Sequence, residues 1–265
     1  MTVQKAIRAA AVAGLFYPED PAELRQSVAS LLRDNPAAGR APRAVIVPHA
    51  GYIYSGPVAA RAYQRIAAAG GALRRIVILG PAHRVALNGM ALPTAQQFRT
   101  PLGDVPLDTA CIERLAQLPG VMYADRAHRD EHGIEVQLPF LQSVIGRFTL
   151  VPVVVGACDA EAVRALLEAA LDDGHTLIII SSDLSHYHPY AVAQALDLAT
   201  AKRIERLDEP LGGDAACGAY ALNGLLAFAR QHHLRAERLD LRNSGDTAGP
   251  KDRVVGYGAW AICDA

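Results

Sequence analysis

Runs of unbroken apolar residues alternate along this chain with longer stretches of helical period. The runs at 44–47, 75–79, 150–155 and 176–180 are rich in Val, Ile and Leu, without alternation. Such runs predict strands buried on both faces, as in a parallel sheet. Asp20-Pro21-Ala22-Glu23 resembles a capping box with Pro at the first helical position, predicting a helix to about Arg33 that Asn35-Pro36 ends. Gly56-Pro57 predicts the start of another, with Val58, Ala62 and Ile66 on one face and Gly70-Gly71 closing it. Asp108 caps a helix carrying Ile112 and Leu115, and Asp159 caps one over 160–171. Helical patterns also cover 134–145, interrupted before Pro139, then 190–207 and 215–232. The Pro/Gly/Thr-rich stretch 88–108 reads as short strands with a hairpin around Gly103-Asp104, and late strands are expected near 239–241 and 254–262. Strands alternating with helices of this length predict an α/β fold of three layers, a largely parallel central sheet flanked by helices.

Composition narrows the class. The 265 residues show no linker, repeat or composition break, so one domain over 1–265 is expected. With 26 basic against 27 acidic residues and no basic stripe, the charge gives no support to nucleic-acid or anionic-membrane binding. No segment has the ~18 apolar residues of a bilayer span. Lys5, Arg8 and the apolar run 9–16 resemble a signal peptide only briefly, because the run flows into FYPEDP without a cleavage region. The four cysteines (Cys111, Cys158, Cys217, Cys263) form no CxxC, and reduced thiols in a cytoplasmic protein are the expectation.

The chemistry gathers at strand ends. His49, His83 and the pair Asp183/His186 each follow an apolar run within six residues. In open α/β sheets ligands bind beyond the carboxyl ends of the strands, so parallel strands would bring these side chains to one edge. Neutral imidazole is the commonest metal ligand, and two of them with one carboxylate form a facial triad with open positions. Two carboxylates are candidates, Asp183 and Asp246. Asp246 also fits a plain turn in its Asn-Ser-Gly-Asp loop. His128-Arg129-Asp130-Glu131-His132 matches the inverted zincin pattern H-x-x-E-H, which requires a helix. The flanking residues do not predict one, so Glu131 and His132 read as polar groups lent to the strand-end site and His128 as solvated. Tyr52, Tyr54 and Tyr187 flank the same site as possible substrate contacts or ordinary packing. Cys217-Gly218 reads as a helix start that favours thiolate or as a small buried thiol. No P-loop, G-x-G-x-x-G or G-x-S-x-G is present.

Taken in order, VPHAGYIYSG, GPAHR, DEHGIEVQLPFLQ, SSDLSHYHPY, CGAYA and NSGDTAG with RVVGY resemble the Memo family, over nearly the whole chain. The nearest likeness is to its branch named AmmeMemoRadiSam system protein B. The resemblance implies a fold similar to class III extradiol dioxygenases, which use non-haem Fe(II) to open catechol rings. It implies His49 and His83 as metal ligands, His186 as acid/base and Asp246 at the third-ligand position, where dioxygenases have glutamate and animal Memo proteins cysteine. The expected reading is then a metalloprotein with Fe(II), or Cu or Zn, in which Asp183 orients His186. The rival is a protein that keeps the cleft to bind a peptide, a metabolite or a partner. The branch name further implies a pathway link to AMMECR-type and radical SAM proteins.

Overall fold

The structure is a computed structural model that describes residues 6–36, 38–67, 72–171 and 174–265. Lys5 and the Gly70-Gly71 helix end therefore lie outside the described residues. In chain order the elements are β1 (Ile7–Arg8), α1 (Pro21–Asp34), β2 (Ala44–Val47), α2 (Tyr52–Ala67), β3 (Arg75–Pro81), β4 (Met90–Leu92), β5 (Gln97–Thr100) and β6 (Gly103–Pro106). They continue as α3 (Thr109–Leu115), β7 (Val121–Tyr123), α4 (Asp125–Arg129), α5 (Leu138–Val144), β8 (Thr149–Val155), α6 (Ala160–Ala170), β9 (Thr176–Ser181) and β10 (His186–His188). The last are α7 (Tyr190–Glu205), α8 (Ala219–Gln231), β11 (Leu234–Asn243) and β12 (Val254–Asp264).

The four apolar runs become β2, β9, β3 and β8, adjacent in that order and mutually parallel. Val45, Ile46, Ile78, Leu79, Val153 and Ile180 within them have no exposed surface. Their unbroken hydrophobicity follows from this, because a strand covered on both faces has no solvent side to carry polar residues. Around this centre the pairing turns antiparallel: β12 on β2, β10 and β11 on β12, and β4 on β8, while β7 joins β4 in parallel. One helical group (α1, α2, α5) packs together with α2 against β2 and β12, and another (α3, α6, α8) with α8 against β3 and β9. A separate three-stranded sheet, β1-β5-β6, contains the hairpin around Gly103-Asp104.

Local chemistry sets the boundaries. Asp20 accepts from the N–H groups of Ala22 and Glu23, and Asp159 from that of Ala162, as their capping positions predict. The helix after His49 starts at Tyr52, earlier than Gly56-Pro57, and Pro57 lies inside it. The reason is tertiary: Tyr52 N–H donates to the Phe16 carbonyl and its ring is buried, so the backbone already winds after Gly51. The interruption before Pro139 is a turn of 3-10 helix, Glu135–Gln137, leading into α5. Among the described residues no helix is long and apolar enough to cross a membrane.

Candidate metal centre

Because β2, β9 and β3 are adjacent and parallel, the residues just past their carboxyl ends share one edge. His49 follows β2 and Pro48, His83 follows β3, and Ser181-Ser182-Asp183 leads out of β9. His49, His83 and Asp183 line a cleft of about 490 Å³ together with His132, His186, Tyr54 and Tyr187.

The hydrogen bonds fix which ring nitrogens are free. Ser181 Oγ donates to the Gly133 carbonyl and accepts from Gln137 Nε2 at 2.9 Å. Its remaining partner, His49 Nδ1 at 2.9 Å, must therefore be the donor, because the hydroxyl proton is already committed. His49 is thus an Nδ1–H tautomer with a lone pair on Nε2. Gln137 is held in turn by Tyr63 Oη, which donates to its Oε1, and by the Pro48 carbonyl, to which it donates. His83 is fixed by a carboxylate: its Nδ1 lies 2.9 Å from Glu131 Oε1 and its backbone N–H donates to Oε2. A carboxylate only accepts, so His83 also presents Nε2 as a lone pair. The third ring, His132, stacks on His83 with centroids 4.6 Å apart and stands edge-on to His49 at 5.3 Å. Its Nδ1 is buried and makes no hydrogen bond, although Glu131 Oε1 is 3.3 Å away.

One ligand atom from each of His49, His83 and His132 lies within 4.8 Å of the others. Two nitrogens bound tetrahedrally at ~2.1 Å from one ion are about 3.5 Å apart, so modest side-chain movement closes the set. Burial holds two of the rings neutral. His49 is pushed down to about 3 by burial and then by His83, and His132 to about 4 by burial and then by His49. Burial opposes ionisation of Glu131, but the hydrogen bond and charge of His83, with the Gly133 N–H and His132, hold its carboxyl at about 2. Neutral imidazoles backed by an ionised carboxylate, with an orphaned buried nitrogen among them, fit a divalent cation.

A model of the family described as Memo-like protein matches residues 8–261. The chain belongs to the Memo-like family. It is 38% identical to a MEMO1 family protein of Methanopyrus kandleri, covering 95% of this chain and 97% of that one. It is 35% identical to a MEMO1 family protein of Aquifex aeolicus at the same coverage. An uncharacterized protein of Escherichia coli K12 shares the fold, with a TM-score of 0.53 and 17% identity over 84% of this chain and 100% of its own.

The Memo-like chain arranges several expected residues differently. Asp246 does not join the histidines. Its Oδ2 accepts from the Asn243 N–H in a capping box, its Oδ1 accepts from Tyr190 Oη, and it borders a separate groove beside α7. The loop reaches the cleft through Ser244 and Gly249, and the third donor of the cluster is His132. Asp183 does not orient His186 by a hydrogen bond. Asp183 Oδ1 accepts from the His49 N–H, burial raises its carboxyl, and His186 Nδ1 donates to the Leu184 carbonyl at 2.8 Å. Tyr52 is a packing residue, 5% exposed, whose hydroxyl donates to the Val136 carbonyl. Tyr54 and Tyr187 line the cleft. Glu131 stands behind His83 as its hydrogen-bond partner, and His132 both joins the cluster and lines the cleft.

The H-x-x-E-H pattern does not form a zinc site. Helix α4 covers His128 but stops at Arg129, so Glu131 and His132 leave in another direction. His128 is buried, not solvated: its Nε2–H donates to the Ala91 carbonyl and its ring meets Phe98 edge-on. Cys217, which reads in sequence as a thiolate at a helix start or as a small buried thiol, places Sγ 3.3 Å from His49 Nε2. It precedes the cap of α8, yet burial and then Asp183 push its thiol up to about 12, so the thiol form prevails over the thiolate.

Proposed function

We propose that this protein is a metal-dependent oxidoreductase similar to the extradiol dioxygenases, with Fe(II) ahead of Cu or Zn, at the His49/His83/His132 cluster. The observation that carries the reading is the paired tautomer lock. Ser181 and Glu131 each take an Nδ1 proton and leave two Nε2 lone pairs at one edge of the sheet. When bound, the metal would supply Lewis-acid and one-electron chemistry to a substrate in the cleft. The chain's own residues do the rest. His186, protonated at Nδ1 toward Leu184, presents Nε2 to the cleft and can take a proton from a substrate hydroxyl. Glu131, an ionised carboxylate behind His83, brings negative charge to the cluster, which favours a divalent over a monovalent ion. The loss of Asp246 as a donor leaves an all-nitrogen set, and imidazole suits iron, copper and zinc alike. The preference for iron therefore rests on the family resemblance. A pathway link to AMMECR-type and radical SAM proteins is part of the same proposal.

Anaerobic titration with Fe(II), Cu and Zn, followed by catechol turnover under O₂, tests the reading. One ion per chain, lost in His49→Ala and His83→Ala, with O₂ uptake that His186→Ala suppresses, is the expected result. Absence of stoichiometric metal would overturn the centre. A bound ion without turnover of any catechol would leave a binding protein.

A further inference from the structure

Two features at the mouth of the cleft have no part in the metal cluster. Tyr187 has φ of 63°, in the left-handed region that side chains other than glycine rarely enter. Neighbouring residues of a strand ordinarily point to opposite faces, yet His186 and Tyr187 both line the cleft. The irregular register between His186 and His188 against β12 accommodates this, so the strand is bent to place an aromatic ring beside the acid/base histidine. Across from it Arg253, just ahead of β12, sets its guanidinium carbon 5.0 Å from the Tyr187 ring centroid.

The charges on the cleft wall are few. Among the described lining residues Arg253 is the one Lys or Arg, and Asp183 the one carboxylate. Asp183 is 5% exposed and already accepts from the His49 N–H. Arg253 has no ion-pair partner among the described residues, and its guanidinium lies over the Tyr187 ring. A guanidinium laid on an aromatic face keeps its donor edge free and is well suited to a carboxylate, which it can take in a bidentate fork. Phe16, Tyr54 and Tyr187 give the cleft flat apolar walls. A single guanidinium without a glycine-rich nest matches a carboxylate better than a phosphate.

We propose that the cleft takes a small planar molecule bearing a carboxylate, which Arg253, seated on Tyr187, reads at the mouth while the planar part reaches toward the histidines. This rests on the cleft being the substrate site proposed above. The proposal makes Arg253 a specificity residue.

The test is calorimetric binding of 4-hydroxybenzoate and its neutral isostere 4-hydroxybenzamide to the full chain. The protein is treated with chelator, so that no metal can supply the attraction for the anion. The acid should bind at least about tenfold tighter than the amide, as one charge-assisted bidentate contact implies. The preference should vanish in Arg253→Gln, reverse in Arg253→Glu and shrink with added salt. Tyr187→Leu should weaken both probes and reduce the preference. Equal binding of acid and amide by the wild type, no binding of either, or a preference that survives Arg253→Gln would each overturn the inference. Metal uptake without anion preference would sink this inference alone. Anion preference without metal uptake would sink the metal reading alone.

Discussion

Glu131 concentrates the site's organisation in one side chain. It accepts from the His83 N–H, His83 Nδ1 and the Gly133 N–H, and the strength of those bonds shows in a carboxyl held at about 2 despite its burial. Glu131→Gln keeps the shape but turns an NH₂ toward one of these donors and removes the negative charge behind His83. Metal affinity should fall about 10–100-fold, the usual range for such outer partners, with a smaller effect on folding. Competition against a chelator of known affinity measures this; an unchanged dissociation constant would show that Glu131 only fills space. The residue was half visible in sequence. His49 and His83 stand out because each follows an apolar run. Glu131 and His132 instead leave a short helix with no hydrophobic signal around them, so their H-x-x-E-H spacing assigns them to the strand-end site without giving either a ligand role. Of the two readings of Asp246, metal ligand and plain turn, the structure has the turn. Its loop does reach the cleft, but an Asp three residues after Asn243 closes a capping box on its own backbone.

At the scale of elements, α4 shows how a buried histidine can serve as a dock. His128 Nε2–H donates to the Ala91 carbonyl on β4, and burial, ahead of every other influence, pushes the ring down to about 4. A histidine whose folded pKa lies below its unfolded value of 6.5 binds protons more tightly when unfolded. Its contribution is therefore complete above pH 6.5 and is lost as the pH falls toward 4. The span from 6.5 to about 4 corresponds to about 3 kcal/mol. His128→Gln can still donate to Ala91 but does not titrate, so its denaturation free energy should fall less steeply than wild type between pH 6.5 and 4. Parallel slopes would assign the acid sensitivity to other groups. Elements such as α4, β1, β7 and β10 are two to five residues long. They carry too few residues for a period to be read, and tertiary contacts of this kind decide them. The buried parallel strands were legible because covering both faces leaves an unmistakable run.

Over the whole molecule, the amino-terminal segment is tied to the far side of the site by one carboxylate. Glu135 has no exposed surface and accepts from the N–H groups of Ala11 and Val12, from Tyr17 Oη and from the Arg8 guanidinium. Arg8 also donates to the carbonyls of His128 and Glu131, so one ion pair joins residues more than a hundred positions apart around the loop that carries His132. Removing one partner of such a pair leaves the other charge buried and unpaired, which costs about 3–5 kcal/mol. Glu135→Ala should therefore lower the unfolding free energy by roughly that amount, and it should loosen the Glu131–His132 segment. Glu135→Gln should fall between, because an amide oxygen can still accept although the charge is gone. Urea denaturation of the three proteins, read beside their metal affinity, separates local from global effects. If Glu135→Ala lost less than about 1 kcal/mol with metal affinity intact, the amino-terminal segment would be an appendage. The tie between the chain's beginning and its metal-side loop would then have to lie elsewhere.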